Sequence, residues 1–313
     1  MITRIIRILF KKIKSFFYFF YDLLTIKHFT CSVADLILSR GGGIDSRQFL
    51  SISRLLDIEA FEDKGDRTFS YQNSISKASK GQKYNYLFYN KNFEDLILSI
   101  KKNGYDSSSY LTIDKDLHLI NGTHRVGMML YLGINTVNVA CCMRSNLVPN
   151  NIAPFLESGL DERLANNILC KFEKVNTKLL SNGYCFHFWI GLNDWEESIS
   201  IFNLFSNHFS YFTISKIDES YSVAFSNNII KGGFVASFIP NEPKYMVKEG
   251  TYYSQTVRDI INTLSIRFRK QHRNTPFLIT DNCLVGYNFF CIVHKHITEQ
   301  SKFSDKLYLI KWM

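Results

Sequence analysis

Residues 117–134 read LHLINGTHRVGMMLYLGI and form the stretch with the clearest start and stop signals for secondary structure. A short apolar run, residues 117–120, meets the pair Asn121-Gly122, where the backbone can turn sharply and approach a ligand closely. Residues 123–125 then open an apolar run of helical character that ends at Gly133. The stretch therefore predicts a strand, a tight turn and a helix over residues 123–132.

The neighbouring residues extend this pattern on both sides. Residues 92–103 have helical periodicity, with Asn92 as the expected N-cap and Gly104 as the stop signal. Residues 110–113 predict a strand that turns back through residues 114–116, and residues 136–140 predict a further strand. The predicted order is helix, strand, turn, strand, helix, strand.

The start of the predicted helix has the features of a phosphate site. The first N–H groups of a helix lack partners and, with the helix dipole, favour an anion. Asn121, Gly122, Thr123 and Arg125 are the predicted phosphate-binding residues, with Thr123 capping the helix and Arg125 offering a bidentate fork. His124 and Arg125 are the catalytic candidates, because His124 can donate to phosphate or move a proton. The alternative is a plain helix cap with a surface arginine.

Residues of about 90–140 resemble the ParB/sulfiredoxin superfamily, on the signature Gly122, His124 and Arg125 and the order of elements around it. Members hold nucleotide phosphates with such a glycine and arginine at a helix start, so the resemblance implies ATP or CTP as the ligand. The segment after Gly104, DSSSYLTI, lacks the Gln-Pro of chromosome-partitioning members, and no cysteine falls in the phosphate signature. No helix-turn-helix is evident downstream, so nucleic acid is not the expected partner.

The first 24 residues, MITRIIRILFKKIKSFFYFFYDLL, predict a basic amphipathic helix. Arg4, Arg7, Lys11 and Lys14 fall on one face, and isoleucine, leucine and phenylalanine spread over the other. This pattern is typical of a helix lying in the interface of an anionic membrane, and charges interrupt it too often for a transmembrane span. The alternative is a basic helix packed on the protein itself.

Composition limits the function classes. The net charge of +9 favours anionic partners such as phosphorylated substrates, nucleic acid or an acidic membrane. The 7 cysteines include no CxxC pair, which argues against a disulfide framework or a zinc ribbon and favours the reducing cytosol.

The predicted fold class is α+β: a basic amphipathic helix, a ParB/sulfiredoxin-like α/β core, and a strand-rich α/β C-terminal unit. The predicted divisions are residues 1–30, 31–145 and 146–313. Residues 61–83 are predicted as loop and 146–183 as largely helical. After residue 184 strands dominate, including residues 289–296, and a helix at 254–271 interrupts them.

Three weaker patterns have structural alternatives. Asp114-Lys115-Asp116 matches the Asp-x-Asp motif with which many sugar-nucleotide transferases hold a metal, but its predicted turn accounts for the acidic residues. His294 and His296 share one face of a predicted strand without a visible third ligand, and Cys185-Phe186-His187 has the same limitation. A basic cluster at residues 267–273 predicts either a site for phosphate or an acidic glycan, or a simple complement to a helix C-terminus. No metal-ligating residue is assigned, and the need for a divalent metal is left open.

These patterns together lead to one functional hypothesis. The chain is predicted to be a transferase of bacterial surface polysaccharide or lipopolysaccharide biosynthesis, peripheral on the cytoplasmic face of the cell membrane through residues 1–24. Its expected cofactor is ATP, CTP or a sugar nucleotide, and its expected substrate is an anionic glycan or glycolipid. The alternatives are a ParB-like nucleic-acid-binding protein and a non-catalytic scaffold on the membrane surface.

Overall fold

The structure is a computed structural model that describes residues 25–38, 44–80, 86–142, 152–192, 194–203, 209–225, 228–240, 244–248, 251–271, 276–280, 282–294 and 297–304. The predicted amphipathic helix of residues 1–24 lies outside the described residues, and so do His296 and the end of the basic cluster at 272–273. The described chain mixes helices with several small sheets, so the α+β class is confirmed.

The first half of the chain forms a four-stranded sheet with helices around it. Its elements are β1 (Lys27–Ser32), α1 (Val33–Ile37), α2 (Ser46–Lys64), α3 (Ser70–Lys80), α4 (Tyr86–Asn103), β2 (Leu111–Asp114), β3 (Leu119–Asn121), α5 (Thr123–Leu132) and β4 (Thr136–Cys142). The strand order is β1-β4-β2-β3, with β2 and β4 parallel and the other pairs antiparallel. Helix α5 therefore lies within the connection between β3 and β4, as the sequence predicts.

The second half forms a five-stranded antiparallel sheet. Its elements are α6 (Ala153–Glu157), α7 (Glu162–Ser181), β5 (Phe186–Ile190), α8 (Trp195–Asn203), β6 (Phe209–Ile217), β7 (Ser222–Phe225), β8 (Asn228–Lys231), β9 (Phe234–Pro240), β10 (Tyr245–Lys248), β11 (Thr251–Ser254), α9 (Gln255–Gln271), β12 (Phe277–Ile279), α10 (Cys283–Val293) and β13 (Ile297–Ser304). The order in the sheet is β12-β5-β9-β6-β13, and β7-β8 and β10-β11 are separate hairpins.

The prediction of a loop over residues 61–83 is wrong, because α2 continues to Lys64 and α3 begins at Ser70. Helix α3 is held at its start by a residue far away in sequence. Asp57 on α2 accepts hydrogen bonds from the backbone N–H groups of Tyr71 and Gln72, at 3.0 and 2.7 Å. These bonds satisfy N–H groups that a helix start leaves without partners, and no local sequence signal reveals them.

Two further predictions fail for related reasons. Helix α4 begins at Tyr86, so Asn92 lies inside it and is not the N-cap. The apolar run at residues 289–296 is not a strand, because α10 covers most of it. Asn282 starts α10 by accepting a hydrogen bond from the N–H of Val285 at 2.9 Å. A short apolar run fits a buried helix as well as a strand, so periodicity alone does not separate them.

One continuous cluster of buried apolar residues joins the two halves. It contains side chains from β1 and α2 together with side chains from β5, β9 and the β10-β11 hairpin. Asp35, buried on α1, accepts hydrogen bonds from the hydroxyls of Tyr245 and Tyr252 at 3.2 and 2.5 Å.

The division of the chain near residue 145 stays a prediction. Over the described residues, no helix combines the length and the apolar character that crossing a membrane requires.

Candidate functional site

Gly122 forms the turn between β3 and α5 and cannot be replaced without strain. Its φ of 111° is a conformation that L side chains rarely adopt. A Cβ at this position would lie 2.4 Å from Cδ2 of Leu111, which belongs to the neighbouring strand β2. The sharp turn at Gly122 is therefore present in the structure, while the predicted close approach to a ligand stays a prediction.

Helix α5 begins without a side-chain cap. Gly122 occupies the N-cap position, and no side chain accepts a hydrogen bond there. Thr123 is the first helical residue and is buried, so the prediction that it caps the helix is wrong. Backbone N–H groups at an uncapped helix start are the ordinary donors for a bound anion.

Arg125 lies against the same turn with its guanidinium fixed. Its Nη1 lies 3.0 Å from the carbonyl oxygen of Ser109, 2.6 Å from Oγ of Ser109 and 3.1 Å from the carbonyl oxygen of Tyr110. Its other terminal nitrogen, Nη2, would lie 3.4 Å from a Cβ at Gly122, which places it beside the turn. The structure therefore brings Gly122, the start of α5 and Arg125 together, and it uses part of the guanidinium to hold the segment before β2.

His124 is placed for packing and hydrogen bonding inside the first half of the chain. Its Nε2 lies 2.6 Å from Oε1 of Gln72, and its ring meets Phe93 edge-on with centroids 4.7 Å apart. An amide oxygen accepts, so Nε2 carries the proton. Burial, followed by the charge of Arg54, lowers the pKa of His124 to about 3. The imidazole is thus neutral near pH 7, and its role in donating to phosphate or moving a proton stays a prediction.

Asn121 ends β3 and is exposed beside the turn. It pairs with Thr112 of β2 in the sheet register. Its side chain makes no hydrogen bond within the described part of the chain, so it is available to a ligand at the start of α5. Its predicted place among the phosphate-binding residues fits this position.

A buried polar cluster that sequence reasoning missed lies beneath α5. It contains Arg54 and Asp57 on α2, Gln72 on α3, and His124. Burial raises the pKa of Asp57 to about 6, although Arg54 and the N–H groups of Gln72 and Tyr71 lower it. Arg54 and Asp57 are three residues apart on one helix, a spacing that places them on one face. That spacing was the one available sequence signal.

This cluster gives the protein a specific pH dependence. Asp57 has a folded-state pKa of about 6 against 3.8 unfolded, so its contribution to stability is present below pH 4 and lost as the pH rises to 6. We expect Asp57→Asn to gain stability relative to wild type over that window, by about 1.4 kcal/mol per pH unit at most. Urea unfolding at pH 4, 5 and 6 measures this difference.

The control for this prediction is Asp106→Asn, in the exposed loop between α4 and β2. Hydrogen bonds from Ser108 lower the pKa of Asp106, so its contribution has the opposite sign and is lost below pH 4. The prediction would be contradicted if the free energies of unfolding of wild type and Asp57→Asn differed by the same amount at pH 4, 5 and 6.

The Asp-x-Asp motif forms a hairpin turn, as its structural alternative predicts. Oδ1 of Asp114 accepts hydrogen bonds from the backbone N–H groups of Asp116 and His118, at 3.0 and 2.9 Å. Oδ2 of Asp114 lies 3.3 Å from Nδ1 of His118. One ligand atom from each of these three residues lies within 4.8 Å of the others. The buried carboxylate of Asp114 thus has a clear role in ordering the turn.

Of the other weak patterns, the histidine pair and the basic cluster lie partly outside the described residues and stay predictions, and Cys185 with His187 forms no metal site in the described structure. His294 follows α10 and its Nδ1 lies 3.2 Å from the carbonyl oxygen of Phe290, while His296 is outside the described residues. His187 is buried in the five-stranded sheet, with Nδ1 2.8 Å from Oγ of Ser237 and Nε2 3.5 Å from Sγ of Cys185. Burial lowers the pKa of His187 to about 4 and raises that of Cys185 to about 12, so this pair is inert core.

Comparison with known proteins finds no matching family, no similar curated protein and no similar solved structure. The ParB/sulfiredoxin resemblance of residues 90–140 therefore stays a prediction. The geometry at the start of α5 is the basis for any functional argument about this site.

Proposed function

We propose that the chain binds a nucleotide by its phosphates at the start of α5 and uses it as a transferase. The observation that carries the proposal is the uncapped start of α5 at Gly122, with Nη2 of Arg125 beside it. A phosphate there would accept hydrogen bonds from the first N–H groups of α5 and from the guanidinium. Asn121 and Thr123 flank the same turn.

The hydrogen bonds at Nη1 prepare Arg125 for this role. Because Ser109 and Tyr110 already orient the guanidinium, little side-chain freedom is lost when an anion binds. Fixed donors aimed at phosphate oxygens also stabilise the charge that develops during phosphoryl or glycosyl transfer. ATP, CTP and sugar nucleotides all carry the phosphates that such a site recognises.

The substrate and location in the proposal come from sequence patterns. The net charge of +9 favours an anionic acceptor, for which an anionic glycan or glycolipid of bacterial surface polysaccharide assembly is the proposed class. Residues 1–24 have the pattern of a helix that binds the inner membrane surface from the cytoplasmic side. The proposed protein is thus a peripheral membrane transferase.

Isothermal titration calorimetry with ATP, CTP and sugar nucleotides tests the proposal. We expect Arg125→Gln to weaken binding of the preferred nucleotide by about tenfold or more, because a charge-assisted hydrogen bond is lost. The matched control is Arg163→Gln, an exposed arginine in the first turn of α7, where Asp161 already caps the helix. Wild-type protein that binds none of these nucleotides would refute the proposal, as would equal affinity in wild type and Arg125→Gln.

Ser109→Ala tests whether Arg125 contacts the nucleotide or only holds the segment before β2. It removes one acceptor of Nη1 and leaves the guanidinium in place. If Arg125 acts on the ligand, Ser109→Ala should weaken binding much less than Arg125→Gln. Equal losses in the two variants would mean that Arg125 serves only to hold the segment before β2.

A further inference from the structure

A cleft of 870 Å³ lies between the two halves of the chain, at the end of α5 opposite to Gly122. Its walls are the last turn of α5 with the following loop, one face of α7, and one face of α10. The volume falls in the range of about 300–1,000 Å³ that is typical of small-molecule sites. The ten residues of α5, at about 1.5 Å each, separate this cleft from the proposed nucleotide site by about 15 Å.

Part of the cleft lining is aromatic. The rings of Tyr184 and Tyr287 stack with centroids 4.2 Å apart and planes 2° from parallel. Tyr184 is 3% exposed, and within the described residues its hydroxyl forms no hydrogen bond of ordinary geometry, although it interacts with the neighbouring Tyr287 hydroxyl. Burial, followed by this interaction with Tyr287, raises the pKa of Tyr184, so the hydroxyl stays protonated.

Another part of the cleft lining is a row of lysines. Lys171, Lys174 and Lys178 recur at intervals of three and four residues on α7 and therefore share one face. Lys171 pairs with Glu59 on α2, with Nζ 2.5 Å from Oε1. Lys174 and Lys178 are exposed, and in the described structure neither forms an ion pair. The cleft lining therefore combines two lysines that form no ion pair within the described residues with the two stacked tyrosines.

The end of α7 explains only part of this row. Lys178 lies in the last turn, where a cation complements the free carbonyl groups of the helix. Lys174 lies a full turn earlier, and the dipole effect falls off within the last turn. The spacing of the lysines could have been noticed in the sequence, but the two tyrosines that line the same cleft could not.

We propose that this cleft binds a small organic anion, with an apolar body against Tyr184 and Tyr287 and a phosphate or carboxylate on Lys174 and Lys178. Apolar residues of α2, α5 and α7 also line the cleft, including Leu55, Met129 and Val175. The body is either an alkyl chain, as in a lipid, or an aromatic ring, as in a soluble metabolite. The site is separate from the start of α5 and does not depend on the proposed nucleotide binding.

The probes are octyl phosphate and 1-naphthyl phosphate, each titrated calorimetrically into the full chain below any micelle concentration. We expect at least one to bind saturably, and the tighter of the two identifies the class of the apolar body. The double variant Lys174→Gln/Lys178→Gln should weaken that probe by about tenfold or more. The matched control Lys77→Gln/Lys102→Gln removes two exposed lysines on other helices and should leave the affinity unchanged.

Tyr184→Phe gives a second and independent readout. The variant removes a hydroxyl that forms no hydrogen bond of ordinary geometry within the described residues, so its melting temperature should change little. If the ligand accepts a hydrogen bond from Tyr184, probe binding should weaken by several fold. The proposal is overturned if neither probe binds, or if binding is the same in the lysine double variant as in wild type. ATP binding that depends on Arg125 is measured separately and is unaffected by either outcome.

Discussion

Gly286→Ala is expected to lower the free energy of unfolding by about 3 kcal/mol. Gly286 lies in the first turn of α10 and faces β5. A Cβ there would be 1.8 Å from the carbonyl oxygen of Cys185 and 3.3 Å from Cδ2 of His187. Because the first of these is a backbone atom of the residue directly before β5, it cannot move aside without disturbing that strand, and α10 would have to shift away from the sheet.

Denaturant unfolding followed by circular dichroism measures this effect, with Asn288→Ala as the control. Asn288 is exposed on the same helix, and alanine is a better helix former, so the control should be neutral or slightly stabilising. A Gly286→Ala variant within about 0.5 kcal/mol of wild type would show that α10 does not contact β5 this closely.

Gly122→Ala is expected to lower the free energy of unfolding by about 2–3 kcal/mol. Two costs add at this position: the φ of 111° strains any L residue, and the new Cβ would meet the side chain of Leu111 at 2.4 Å. The same variant should also lose nucleotide binding at the start of α5, because relieving the clash moves the turn. Thermal and denaturant unfolding give the first result and calorimetry the second.

Gly133→Ala is the matched control at the other end of α5. Gly133 has a φ of 69°, and no atom lies within 4 Å of its added Cβ, so only the backbone cost of about 1 kcal/mol applies. The excess loss in Gly122→Ala combines the contact with Leu111 and the less favourable φ of Gly122. Equal losses would show that backbone conformation alone explains the need for glycine at the turn.

The parts of the fold that could be predicted from the sequence are those bounded by local signals such as glycine and turn residues. Helix α5 has the predicted bounds because glycine stands at both of its ends, and β2, β4 and most strands of the second half follow from β-rich runs between turn residues. Helix α3 could not be predicted because the residue that caps it, Asp57, is 14 and 15 residues away from the N–H groups it accepts. Helix α10 was misassigned because its apolar run has no clear period.

The residues of the candidate site likewise divide into those with a local sequence signal and those whose role depends on the folded structure. Gly122 and Arg125 could be identified from the sequence because a glycine and a cation next to a helix start have a local meaning. The partners that orient Arg125, Ser109 and Tyr110, lie 16 and 15 residues earlier and require the folded sheet to bring them near. The neutral state of His124 likewise depends on burial under α4 and on Arg54, which no local pattern encodes.

The hydrogen bonds from two tyrosine hydroxyls to Asp35 limit when the N-terminal elements can fold during translation. The carboxylate of Asp35 is made early, and Tyr252 follows 217 residues later. At about 5–20 residues per second, the ribosome needs about 10–40 s to supply that hydroxyl. Burying a carboxylate before its donors exist is costly, so β1 and α1 are expected to dock only when the β10-β11 hairpin emerges. The nascent chain would then offer β1 and the adjoining apolar surface to chaperones for most of its synthesis.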